Sequence, residues 1–215
     1  MGKTALVLGA TGLIGKALVE QLSNQPTTDQ IVALTRRPVT YPSKKVINEV
    51  VDFDHPEKSI HVLKGDFLFS CLGTTLKQAG SIQAQRKVDV DYQFEAARLA
   101  AQNGVPHYLL VSSSMADAKS RNEYLKMKGE LEEKVLAIPF QRVSVFQPSL
   151  LLGDRPENRP GEKWGARVLP ALALIPGLRR YRPIYGHQVA TKMIQVSQAS
   201  GPKHEWFQLD EVFPT

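Results

Sequence analysis

The sequence predicts an α/β protein: a doubly wound parallel sheet with a small C-terminal covering region. Three observations predict it. The opening apolar run, Leu6-Val7-Leu8, ends in Gly9-Ala10-Thr11-Gly12-Leu13-Ile14-Gly15 and passes straight into a helical pattern. Further β-branched runs then alternate with amphipathic ones at short spacing, which argues a parallel sheet with right-handed crossovers. Size is the third: 215 residues, 42% hydrophobic and 22% charged, suffice for one full core.

In chain order, residues 4–8 read as the first strand and 13–22 as its helix, with Leu13, Ala17 and Val19 inward. Residues 31–34 form a second strand, ended by Arg36-Arg37-Pro38, and 46–51 a third. A short polar helix at 56–62 precedes strand four at 67–72, which Gly73-Thr74-Thr75 stops. Ser81 caps a long helix to Asn103 whose apolar stripe is Ala84, Val88, Tyr92, Ala96 and Leu99. Gly104 closes that helix. Strand five covers 108–111, and Asn122 caps a helix over 123–136. Pro139 separates that helix from strand six at 142–146. Beyond Pro148 a polar loop (153–165), helices at 166–175 and 188–197 and a last strand at 204–209 follow. These last residues are too few for a core of their own. The chain therefore reads as one domain, 1–215, with residues from about 149 onward as its small covering part.

The glycine run carries chemistry. Without a β-carbon, Gly9 can turn tightly, Gly12 admits a pyrophosphate to the backbone, and Gly15 lets helix and strand pack. The helix beginning at Leu13 offers unpaired N–H groups and a positive dipole end to phosphate. Three spaced glycines alone say little; a strand before and a helix after give them force, and predict a Rossmann-like dinucleotide site.

Which dinucleotide is set at the end of strand two. NAD-binding chains place an acid there for the ribose 2′-hydroxyl. Here the text is Ala33-Leu34-Thr35-Arg36-Arg37, with no acid. Guanidinium groups match the oxygens of a 2′-phosphate, which favours NADP(H) over NAD(H), although solvated arginines would read the same. Asp52 and Phe53, after strand three, suit the adenine amino group and ring face; an aspartate there also caps helices.

Tyr124 and Lys128 stand four apart on a helix and share a face. A lysine charge beside a phenol lowers its pKa and makes it a usable acid at neutral pH. Tyr41 and Lys45 have the same spacing, but follow a loop where helical spacing means nothing. Ser112-Ser113-Ser114, at the carboxyl end of strand five, can hydrogen-bond a carbonyl that Tyr124 protonates.

These residues carry a resemblance. Gly9 to Gly15, Cys71-Leu72-Gly73-Thr74-Thr75, Leu110-Val111-Ser112-Ser113, Tyr124 to Glu130, Phe146-Gln147-Pro148 and Leu152-Gly153-Asp154-Arg155 occur in this order over nearly the whole chain. In them the chain resembles the atypical short-chain dehydrogenase/reductases, specifically the Tat-interacting-protein-type NAD(P)H-binding oxidoreductases. The resemblance implies an NADPH-binding Rossmann domain with a Ser–Tyr–Lys triad. Tyr124 would be the acid, Lys128 would hold the nicotinamide ribose, and Ser113, or alternatively Ser114, would orient the substrate. It also implies that Cys71, Leu72, Gly73 and Thr74 lie along the cofactor and that Pro148 abuts the nicotinamide. Gln147-Pro148-Ser149 departs from the family's usual Arg-Pro-Gly.

Other classes are disfavoured. The net charge of +6 is scattered, and Lys44-Lys45 and Arg179-Arg180 are too short to predict a nucleic-acid face. One cysteine, Cys71, excludes an internal disulfide framework and a cysteine-rich zinc site, and His55 with His61 lacks metal-ligand spacing. Residues 1–4 run directly into a strand, which predicts no secretory signal and a reduced, cytoplasmic setting. The run 168–178, broken by Pro170, Pro176 and Gly177, is too short to span a bilayer. The expected function is NADP(H)-dependent hydride transfer to or from a small carbonyl or alcohol. The alternative is an NADPH-binding regulatory protein with little or no turnover, whose partners read its NADPH-bound state; either reading admits a homodimer or a protein partner. An NAD-retaining epimerase or dehydratase is disfavoured by Arg36 and Arg37. Gly129 inside the Tyr–Lys helix costs about 1 kcal/mol against alanine, which close packing could offset.

Overall fold

The computed structural model describes residues 2–153 and 179–215. Its elements are β1 (Lys3–Leu8), α1 (Leu13–Ser23), β2 (Thr28–Thr35), β3 (Val46–Val50), β4 (Phe67–Ser70), the short α2 (Leu76–Ala79), α3 (Ile82–Arg86), α4 (Tyr92–Gln102), β5 (His107–Val111), α5 (Glu123–Leu136), β6 (Arg142–Gln147), β7 (Leu151–Leu152), β8 (Ile184–Tyr185), α6 (Gly186–Gln198) and β9 (His204–Gln208). A 3-10 helix spans Pro56–Val62, as the polar run there predicts. The expected loop at 153–165 and helix at 166–175 fall almost wholly outside the described residues.

Seven of the described strands form one parallel sheet in the order β3-β2-β1-β4-β5-β6-β9. Alternate residues feed opposite faces, as the strand period of two demands. Leu6, Leu8, Leu68, Tyr108 and Leu110 pack against α4 and α5 through Ala97, Leu99, Leu131 and Val135. Val7, Phe69, Leu109 and Phe146 face the other way, toward Leu18 and Leu22 of α1 and Val189 and Met193 of α6. The predicted doubly wound sheet is therefore present. The order in which successive strands are added reverses between β1 and β4, and such a switch point opens a crevice at the strands' carboxyl ends. The last residues also join this body: β9 pairs with β6, and Gln21 Nε2 of α1 donates to His187 O of α6 at 3.0 Å.

Three details differ from expectation. On α1 the buried residues are Ile14, Gly15, Leu18, Val19 and Leu22, whereas Leu13 and Ala17 are only half-buried. The inward face is turned by one residue because Gly15 must lie against the glycine turn. Strand four ends at Ser70, two residues early, although Cys71 N still donates to Leu8 O at 2.8 Å. The long helix is not one α-helix: Lys87–Asp91 forms a π turn between α3 and α4. Its N-terminal half buries Gln85, Asp89 and Gln93 rather than Ala84, Val88 and Tyr92. Those polar groups bond one another and the sheet edge, and apolar periodicity cannot register a polar buried face.

Candidate active site

The glycine turn is fixed by close backbone approach. Gly9 has φ +84°, and a Cβ there would lie 2.7 Å from the carbonyl carbon of Cys71. At Gly15 a Cβ would lie 2.1 Å from Gly9 O. Gly12 N donates to Gly9 O at 2.9 Å. Here α1 begins with no side-chain cap and no acid in its first turn, so its leading N–H groups face the crevice with a positive dipole end. Thr11 and Gly12 are exposed there. The Leu13 side chain is held under Gly153 and Gly186, and Ile14 is in the core. Those two residues thus have only backbone to offer a ligand.

Arg36 and Arg37 follow β2 directly and are exposed. Neither guanidinium has a hydrogen bond or ion pair among the described residues. Asp52 is exposed, and its Oδ1 accepts from Asp54 N at 3.0 Å, a turn-capping bond. Phe53 does not offer its ring face: it is 8% exposed and packs on Tyr92 with centroids 5.4 Å apart. The turn is pinned from α4 and the π turn before it, because Tyr92 OH donates to Asp54 Oδ1 at 2.6 Å while Lys87 Nζ also reaches it at 2.6 Å.

At the sheet's carboxyl edge, Asn122 Oδ1 accepts from the backbone N–H groups of Tyr124 and Leu125 and starts α5 as predicted. Tyr124 is 36% exposed, and Lys128, one turn on, is 4% exposed with Nζ 5.9 Å from the Tyr124 ring centroid. Burial works against the Lys128 charge, but Asp89, Tyr124 and Glu132 outweigh it and hold its pKa above the usual lysine value. The ammonium pairs with Asp89 Oδ1 at 3.4 Å. Thr74 N donates to the same oxygen at 3.2 Å, and Asp89 Oδ2, fully buried, has no partner. Gly73 closes this corner: a Cβ on it would lie 3.2 Å from Asp89 Oδ1 and 3.9 Å from Lys128 Nζ. Cys71 and Leu72 lead into it half-buried, and burial of the thiol pushes the Cys71 pKa up to about 12, which disfavours the thiolate.

The serines are divided. Ser112 is buried and donates to Glu132, whose carboxylate also accepts from Gln147 Nε2 at 2.9 and 3.1 Å. Ser113 Oγ turns to Ser114 O at 3.3 Å, and Ser114 N donates to the carbonyl of the buried Pro148 at 3.1 Å. Met115 takes φ +65° and is 75% exposed, forming a tight turn in which Ala116 N donates to Ser113 O. Beside it lies a cavity of about 280 Å³ lined by Ser114, Met115, Ala116, Gln147, Tyr181, Gln208 and Leu209. The competing pair is absent as a site: Lys45 Nζ goes to Gln25 O at 2.8 Å.

Sequence reasoning missed Asp89, Glu132 and Asn48. Asp89 and Glu132 each stand at helical spacing from Gln93 or Lys128, a signal that could have placed them on the buried face. Asn48, within a strand, left no such trace.

The residues fit a dinucleotide: an uncapped helix start, glycines where a side chain would intrude, and a buried cation at the far end. The family model for NAD(P)H-binding proteins matches residues 9–138. The chain belongs to this family. Its relatives include Protein HTATIP2 of Rattus norvegicus, 41% identical over 77% of this chain and 69% of that protein. Protein FMP52, mitochondrial, of Saccharomyces cerevisiae is 33% identical over 86% of this chain and 83% of that protein. They place it, as the resemblance implies, among the atypical short-chain dehydrogenase/reductase type. Solved structures agree on the fold. MoeE5 in complex with UDP-glucose and NAD superposes with TM-score 0.72 at 18% identity, covering 97% of this chain and 79% of that one. Bordetella bronchiseptica WbmH in complex with NAD+ gives 0.73 at 13%, covering 97% and 75%. Among the described residues no helix is long and apolar enough to cross a membrane, and no acidic, histidine or cysteine group could hold a metal.

Proposed function

We propose that the protein is an NADP(H)-dependent oxidoreductase acting on a small carbonyl or alcohol. The observation that carries this reading is the Lys128 ammonium, buried at the sheet's carboxyl edge under Gly73 and 5.9 Å from the Tyr124 ring. When bound, the nicotinamide supplies hydride. The chain supplies geometry and the proton. Tyr124 donates its phenolic proton to the substrate oxygen, and the neighbouring positive charge of Lys128 steadies the phenolate left behind. Lys128 also reaches the nicotinamide ribose. Ser113, with Ser114 as the alternative, orients the carbonyl, and Pro148 borders the nicotinamide. Gly9, Thr11, Gly12, Gly15 and the backbone of Leu13 and Ile14 cradle the pyrophosphate. The stretch Cys71 to Thr74 runs beside the cofactor, Asp52 serves the adenine, and Arg36 with Arg37 takes the 2′-phosphate. Residues from about 149 onward cover the substrate as part of the same domain. With a single cysteine and so no internal disulfide, we place the protein in the cytoplasm; the FMP52 relatives carry the word mitochondrial in their names.

A second reading draws on Ser113, whose hydroxyl turns to Ser114 O rather than toward Tyr124. In it the chain binds NADPH and relays that state to a second copy or a protein partner, with little turnover. Tyr124→Phe separates the two. On a panel of small aldehydes, ketones and alcohols, the variant is expected to lose turnover at least ~100-fold while NADPH affinity stays within about twofold. Equal loss of both counts against catalysis by Tyr124. A silent panel with tight NADPH binding favours the second reading, and NAD retained through purification favours an epimerase or dehydratase.

A further inference from the structure

We infer that Asn48, a residue of β3 outside any glycine or triad motif, is a positioning residue that sets Arg36 and Arg37 for a 2′-phosphate. The inference rests on the NADP(H) reading above and adds to it a specificity-determining side chain. Asn48 stands opposite Ala33 in the β2–β3 register. Its amide nitrogen donates to Ala33 O at 3.0 Å and to Thr35 Oγ1 at 2.7 Å. Its Oδ1 accepts from Val39 N at 2.8 Å. Thr35, itself buried, donates a hydrogen bond from its hydroxyl to Arg37 O at 2.8 Å. One side chain and its hydroxyl relay therefore tie down the backbone at residues 33, 37 and 39, on both sides of the two arginines.

That arrangement does something the sheet does not require. Pairing of β2 with β3 is complete through the backbone, from Ile31–Val46 to Thr35–Val50. The Asn48 Oδ1 bond to Val39 N and the Thr35 hydroxyl bond to Arg37 O reach past the strand end and bracket a turn that holds only Arg36, Arg37 and Pro38. Both guanidinium groups are exposed and without a carboxylate among the described residues. An exposed arginine on a loose turn loses much of its binding energy to ordering, whereas one on a braced turn does not. Because a guanidinium binds phosphate through a fixed fork, small shifts of its backbone are costly.

The test measures NADPH and NADH affinities by calorimetry for the unaltered protein, Asn48→Ala, Thr35→Val and the Arg36→Ala/Arg37→Ala double variant. The double variant is expected to lose most of the preference for NADPH. Asn48→Ala is expected to weaken NADPH about tenfold and NADH less than twofold, and Thr35→Val to act in the same direction. A residue that merely held the strands together would weaken both nucleotides alike. NADH affinity and the melting temperature report whether each variant is folded, and Thr35→Val carries the test should Asn48→Ala not fold. An unchanged NADPH-to-NADH ratio in a folded variant overturns the inference and leaves the NADP(H) reading standing. Equal affinity of the unaltered protein for the two nucleotides overturns both.

Discussion

At the scale of single residues, Gly129 has the clearest account. Isolated glycine in a helix costs about 1 kcal/mol relative to alanine. Here a Cβ would lie 2.1 Å from Ala118 N and 2.3 Å from the carbonyl carbon of Asp117, both backbone atoms that cannot step aside. The loop descending from the serines thus crosses α5 one residue past Lys128, and only glycine permits the crossing. Gly129→Ala should therefore destabilise the protein, by about 2 kcal/mol net, despite the better helix former. Urea denaturation checks this; a midpoint raised by alanine would mean the crossing is loose. Phe53 gives the opposite lesson. A ring after an aspartate at a strand end looked suited to adenine, but its packing against Tyr92 takes that face away. Sequence offers both uses of an aromatic, and only its neighbours choose.

At the scale of elements, β5, β6 and β9 are joined at their amino ends by a polar chain. His107 Nε2 lies 2.8 Å from Ser144 Oγ, which donates to Glu205 Oε1 at 2.6 Å, and Glu205 pairs with Arg142 at 2.6 Å. Since the Ser144 proton goes to Glu205, the histidine donates from Nε2–H. Burial first, and the Arg142 charge second, push its pKa down to about 3. The fold thus favours neutral histidine, while the unfolded chain binds a proton near pH 6.5. This contribution is full above about pH 6.5 and is lost as pH falls toward about 3, by about 1.4 kcal/mol per unit. Denaturation midpoints at pH 7 and pH 4.5 should show the loss, and His107→Gln should flatten it; an equal slope in the variant would assign the acid sensitivity elsewhere. The helices tell a related story. Ser81, Asn122 and Gly104 were legible as caps because capping needs particular residue types at particular places. The π turn was not, since it arises where Asp89 is drawn toward Lys128 and Thr74 from other elements.

At the scale of the whole molecule, the crevice lies where the strand order reverses between β1 and β4, and its walls come from distant parts of the chain. Leu13 of the glycine turn is clasped by Gly153 and Gly186, so the C-terminal residues steady the nucleotide end of the site. A dinucleotide seated there binds the folded state alone. At a hundred times its dissociation constant it should add about 2.7 kcal/mol. For a chain of this size that is a rise of roughly 5–10 °C in melting temperature, read by scanning fluorimetry. Under the NADP(H) reading the rise is larger with NADPH than with NADH at equal concentration; no rise with either would remove the nucleotide from the account.

The amino-acid sequence by itself determined the strand–glycine–helix opening, the alternation that makes a parallel sheet, and the capped helix that sets Tyr124 and Lys128 on one face. These follow from local rules: backbone freedom, side-chain periodicity and capping act over a few residues and leave their mark in order and spacing. Only the tertiary structure decided that Asp89 would hold Lys128, that Glu132 would collect Ser112 and Gln147, and that Asn48 would brace the arginine turn. Each joins groups far apart in the chain, and polar pairing of that kind is fixed by where the sheet brings the elements, which no local pattern encodes.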